Sequence, residues 1–128
     1  MTRPGVGGGI RKVNLGEKLA SFADHWSPKI VAALNGQHVR LAKLLGDFPW
    51  HHHPDEDELF LVLRGRLVLR FQDGEVTLNE GEFCVVPRGV EHQPFAAQEV
   101  HVLLFEPAAT RNTGNLRNER TIERLETL

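Results

Sequence analysis

The chain has 128 residues, a length that builds one domain able to bury about two thirds of its unfolded surface. Its 15 basic and 17 acidic side chains leave a net charge of −2, which argues against a nucleic-acid partner, since such partners favour a basic face. No apolar run approaches the roughly twenty residues needed to cross a bilayer, no signal-type apolar region opens the chain, and a single cysteine excludes an internal disulfide. The expectation is a cytoplasmic protein without a membrane partner.

Taken in order, residues 1–11 are glycine-rich around Gly5-Val6-Gly7-Gly8-Gly9 and read as a flexible N-terminal arm. A phosphate-cradling loop would need a flanking strand and helix that the pattern lacks. Asn14, with Glu17 three residues on, is a capping-box start for a short helix from Leu15 to Phe22, with Leu15, Leu19 and Phe22 on one face. His25-Trp26-Ser27-Pro28 is a turn, and His25 has no partner at ligand spacing. From Ile30 the texture is all-β. Ile30 to Leu34 and Gln37 to Leu45 are strands joined by Asn35-Gly36, a strong hairpin signal. In the second of these, either Lys43 or Arg40 could reach an interior, and parity alone does not choose; the usual outcome is a charge that snorkels to the surface.

The next stretch, Gly46 to Glu58, carries chemistry. In an extended strand His51 and His53 point one way and His52 the other. Pro54-Asp55 breaks the strand, and Glu58 opens the apolar strand Leu59 to Leu63, where it can come alongside both histidines. Glu56 and Asp57 read as solvent-facing. Strands Arg66 to Phe71 and Glu75 to Leu78 follow around an Asp73-Gly74 turn. Gly81 to His92 reads as a glycine turn, a buried strand, a second turn and a histidine, which makes His92 a fourth candidate. Three imidazoles and a carboxylate suit Fe(II), Mn(II), Ni(II), Cu(II) or Zn(II). Cys84 is most simply a small buried apolar residue. His101, mid-strand between apolar residues, is either a satisfied core histidine or a cavity residue. Strands Leu59–Leu63 and Val100–Phe105 are apolar on both faces, so one face lines an interior and the other needs a helix or a second subunit; a homodimer is expected. After Pro107 the chain is polar, and Asn118 to Leu128 is either a helix or a terminal strand.

The two motif stretches together resemble the cupin superfamily. The first motif stands as Gly46, four residues, His51, one residue, His53, four residues, Glu58, six residues, Gly65. The second stands as Gly81, five residues, Pro87, one residue, Gly89, two residues, His92. The spacer after Gly46 is one residue shorter than the usual pattern, and Ala96 replaces a terminal asparagine; neither change removes a ligand. The fifteen residues between Gly65 and Gly81 suit a compact single-domain member, similar to small proteins labelled mannose-6-phosphate-isomerase-like.

The resemblance implies an all-β jelly-roll barrel, the cupin double-stranded β-helix, with a short N-terminal helix. On this reading residues 12–110 form the barrel and 111–128 a C-terminal extension. It also implies a divalent transition metal held by His51, His53, Glu58 and His92. Four ligands on a six-coordinate ion leave two positions open, which suits dioxygenase or isomerase chemistry on a small oxygen-rich molecule, a keto acid, diketone or sugar. A non-catalytic small-molecule binder or sensor is the alternative. A structural zinc with a filled tetrahedral site is the third reading.

Overall fold

The structure, a computed structural model, describes residues 9–128, so most of the arm expected at 1–11 lies outside the described residues. Helix α1 (Leu15–Ala20) starts where expected, with the Asn14 side chain accepting a hydrogen bond from Glu17 N at 2.9 Å. It stops two residues short of the expected Phe22. Ser21 closes it, its hydroxyl donating to Lys18 O at 2.6 Å. Among the described residues no helix is long and apolar enough to cross a membrane.

Eight strands follow: β1 (Lys29–Leu34), β2 (Gln37–Asp47), β3 (Glu58–Arg64), β4 (Leu67–Phe71), β5 (Gly74–Leu78), β6 (Phe83–Val86), β7 (Gln93–Pro107) and β8 (Glu126–Thr127). They give the all-β jelly-roll architecture with one short helix. The β1–β2 hairpin turns on Asn35 and Gly36, both with positive φ (51° and 77°), as a tight turn that matches strand twist requires. The sheet runs β5-β4-β7-β2-β1-β8, with β3 held between β6 and β7. The long strands β2 and β7 pair from Gln37↔Pro107 to Asp47↔Phe95 and form the spine to which both motif-bearing segments attach. The C-terminus forms no helix over 118–128; Glu126 and Thr127 pair in parallel with Lys29 and Ile30.

Strand alternation decides what enters the core. Arg40, Ala42 and Leu44 of β2 are buried, as are Phe60 and Val62 of β3 and Val100, Val102, Leu104 and Glu106 of β7. Their alternates Leu59, Leu61, Leu63, Leu103 and Phe105 are half-buried on the outer face. Helix α1 flanks that face beside Lys43, Leu63 and His101. Parity therefore sends Lys43 outward, where its Nζ donates to Phe22 O at 2.6 Å, and Arg40 inward. Arg40 is 1 % exposed and does not snorkel, because Glu106, Thr110 O and Ala108 O receive its guanidinium at 2.7, 3.0 and 3.0 Å.

Candidate metal centre

The segment expected to be a regular strand through His51 and His53 is instead one isolated bridge, His51 to His92. Pro49 and Pro54 flank it, and proline cannot donate to a ladder. The bridge is complete: His51 N donates to His92 O at 3.0 Å, and His92 N to His51 O at 2.9 Å. Gly89 N donates to His53 O at 2.8 Å, which fastens the second motif's turn to the first motif's histidine. Alternation survives the loss of the strand. His51 and His53 are buried, whereas His52 is half-buried and its Nδ1 lies 2.9 Å from Glu91 Oε2.

His51, His53 and His92 thus meet from two turns, with one nitrogen of each lying within 4.8 Å of the others. Glu58, first residue of β3, adjoins two of them: its Oε1 lies 3.2 Å from His53 Nε2 and 3.6 Å from His92 Nε2. The tautomers are constrained. His51 Nδ1 lies 2.8 Å from Pro49 O and His92 Nδ1 lies 2.9 Å from Val90 O. A carbonyl only accepts, so both Nδ1 atoms carry the proton and both Nε2 atoms present a lone pair. His53 Nδ1 and Nε2, His92 Nε2 and Glu58 Oε1 are all buried without a hydrogen-bond partner. Unpaired buried lone pairs that converge are costly unless something positive sits among them, so this set fits a divalent cation.

The electrostatics point the same way. Burial, and then the neighbouring His92, push His51 down to about 4, so it stays neutral and able to ligate well into the acid range. Burial alone would raise Glu58, yet His53 and His92 hold it well below the usual carboxylate range. Glu106 does the opposite. Burial and the charge of Glu58 hold it well above that range, against the pull of Arg40, so of the two adjacent carboxyls Glu106 keeps the proton.

A narrow cavity opens beside the cluster, with about 40 Å³ of free volume, room for roughly three waters. His51, Glu58, Glu106 and Asn112 reach it; the other lining residues, including Trp26, Leu44, Phe48, Phe60 and Leu104, are apolar. Trp26 stacks on Phe48 with ring centroids 4.7 Å apart. Other sequence candidates lie elsewhere. Among them, His101 faces outward, 3.0 Å from Glu99 Oε2, and His25 meets the same carboxylate at 2.7 Å, the two together lowering Glu99 to about 2. Asp57 holds the Arg88 backbone at 2.9 Å on the surface. Cys84 is half-buried opposite Phe60, and burial raises its thiol. Three contributors escaped the sequence reading: Trp26, Asn112 and Glu106. Only Glu106 left a signal, as the next inward position after Val100, Val102 and Leu104.

A model of the Cupin domain family matches residues 37–106. The uncharacterised protein YdbB of Bacillus subtilis is 40% identical over 78 residues, 60% of this chain and 63% of that protein. Acireductone dioxygenase of the same organism is 34% identical over 74 residues, 54% of this chain and 41% of that one. In both cases the match spans less than two thirds of the relative's own length. A cupin-2 domain protein of Shewanella frigidimarina superposes with a TM-score of 0.73 at 42% identity, covering 74% of this chain and 93% of its own.

Proposed function

The chain belongs to the cupin domain family, and from that premise we propose that it is a metal-dependent enzyme of dioxygenase type acting on a small molecule bound beside the histidine cluster. The observation that carries this reading is the convergence of unpartnered buried lone pairs from His53, His92 and Glu58, joined by the Nε2 of His51, on the edge of a cavity. His51, His53, Glu58 and His92 would hold one divalent transition ion. Such an ion supplies Lewis acidity and, if redox-active, reaction with O2. The protein's part is to keep His51 neutral, to fix the His51 and His92 tautomers through Pro49 O and Val90 O, and to exclude water with the Trp26–Phe48 wall. Kinship with a dioxygenase over 54% of this chain adds support. A sugar-phosphate isomerase is less well supported, because among the described residues no lysine or arginine lines the cavity to clamp a phosphate.

A non-catalytic binder is the second reading, favoured by one observation. Glu91, His101, Arg40 and Lys43, the residues the sequence offered for an acid–base pair, are all engaged with other protein groups and none lines the cavity. We further take the molecule to be cytoplasmic, as the lone cysteine suits, and to pair as a homodimer through its outer apolar face. Elemental analysis of protein purified without a nickel column tests the centre. About one ion per chain is expected in the wild type and less than about a tenth of that in a His51→Ala, His92→Ala double mutant. Full occupancy in the mutant would falsify the assignment. Turnover with O2 uptake, across Fe(II)-, Mn(II)- and Zn(II)-loaded protein, separates enzyme from binder.

A further inference from the structure

The walls of the cavity select between the ligand classes that a metal with two open positions would admit. Its sides are Trp26, Leu44, Phe48, Phe60 and Leu104. A hydroxyl-rich molecule needs a polar partner for each buried hydroxyl, and the lining holds few that are free. Asn112 is engaged at both ends: its Nδ2 donates to Arg120 O at 2.8 Å and its Oδ1 accepts from Ile122 N at 3.0 Å. Glu106 Oε2 is bound to Arg40 at 2.7 Å, which leaves Oε1 as the one oxygen of that side chain without a partner. An anionic tail fares no better, since the lining carries the ionised Glu58 and, among the described residues, no lysine or arginine. Arg120 stacks on Phe48 and Trp26, 5.5 and 6.0 Å from the ring centroids, and is not a lining residue.

We propose that the site takes a short molecule whose oxygen donors are gathered at the end facing the histidines and whose remaining body is uncharged and apolar, and that it rejects sugars and dicarboxylates. This rests on the metal reading above and narrows it. The small free volume limits the body to a few carbons unless the walls move.

A set of chelators with one metal-binding head and three tails tests it: butanohydroxamic acid, its 4-hydroxy analogue, and succinohydroxamic acid, whose tail ends in a carboxylate. Each is titrated calorimetrically into Mn(II)-loaded protein after the metal content has been measured. The three tails share their methylenes, so the discrimination comes from burying a terminal hydroxyl or carboxylate away from water, which favours the apolar tail by about tenfold or more over either polar tail. Equal or tighter binding of the hydroxyl or carboxylate tail overturns the inference while leaving the metal reading intact. A wild-type chain that takes up no metal overturns both.

Discussion

At the residue scale, the least expected feature is a buried arginine one strand away from the cluster. Arg40 makes every one of its bonds inside the protein, to Glu106, to the carbonyls of Ala108 and Thr110, and to His38 Nδ1 at 3.1 Å. Arg40→Met would leave a buried carboxyl and two carbonyls without that partner. The expected loss is about 3 kcal/mol of unfolding free energy, read from urea denaturation at pH 7. A change under about 1 kcal/mol would mean that these groups find water instead. His51 sets a pH dependence. Its folded pKa of about 4 lies below the unfolded value near 6.5, so between the two the unfolded chain binds a proton that the folded chain refuses. Metal-free protein should therefore lose stability as pH falls from roughly 6.5 towards 4, by an amount on the order of 3 kcal/mol from this group. Above pH 6.5 His51 contributes no slope. The difference between wild type and His51→Gln, followed by denaturation at several pH values, isolates the effect; parallel curves would refute it.

At the scale of elements, the segment between β7 and β8 matters to the site although it contains neither helix nor strand. Asn112 lines the cavity, Asn115 N donates to His52 O at 2.9 Å, and His52 N donates to Asn115 Oδ1 at 2.9 Å. Gly114 sits at φ 59°, and a Cβ there would come 2.2 Å from His52 O and 2.9 Å from His51 Cδ2. Backbone, not a pliable side chain, is the obstacle, so Gly114→Ala must push the segment off the histidine turn. The expected result is a loss of about 2 kcal/mol or more, with faster amide exchange at His52 and Asn115 and weaker metal retention. Wild-type exchange at those two amides would show that the segment is held by other contacts.

At the scale of the whole molecule, the outer face of β3 and β7 is only partly covered by the described residues. Leu59, Leu61, Leu103 and Phe105 are half-buried there, while α1 reaches only the end marked by Lys43, Leu63 and His101. A two-fold pair of chains would bury the remainder, because an isologous interface places the same apolar strip on both partners. Sedimentation at micromolar concentration should give a dimer for the wild type and a monomer for Leu61→Glu. A wild type that stays monomeric would remove the pairing and leave α1 as the cover among the described residues.

The sequence determined most of the strands, though not the isolated bridge at His51, together with the Asn35-Gly36 turn and the inward parity of His51, His53 and Glu58, because these rest on local chemistry: period-two alternation, positive φ and proline breaks. It also proposed His92 as the distant partner, through motif spacing. Only the tertiary structure chose Arg40 over Lys43, since parity became readable once β2 lay against β7 with Arg40 opposite Leu104. The same packing set Glu106 beside Glu58, turned His101 out to Glu99, and folded Asn112 and Gly114 back onto the histidine turn. Each of these joins residues far apart in the chain, and no local pattern encodes which of two faces a neighbouring strand will cover.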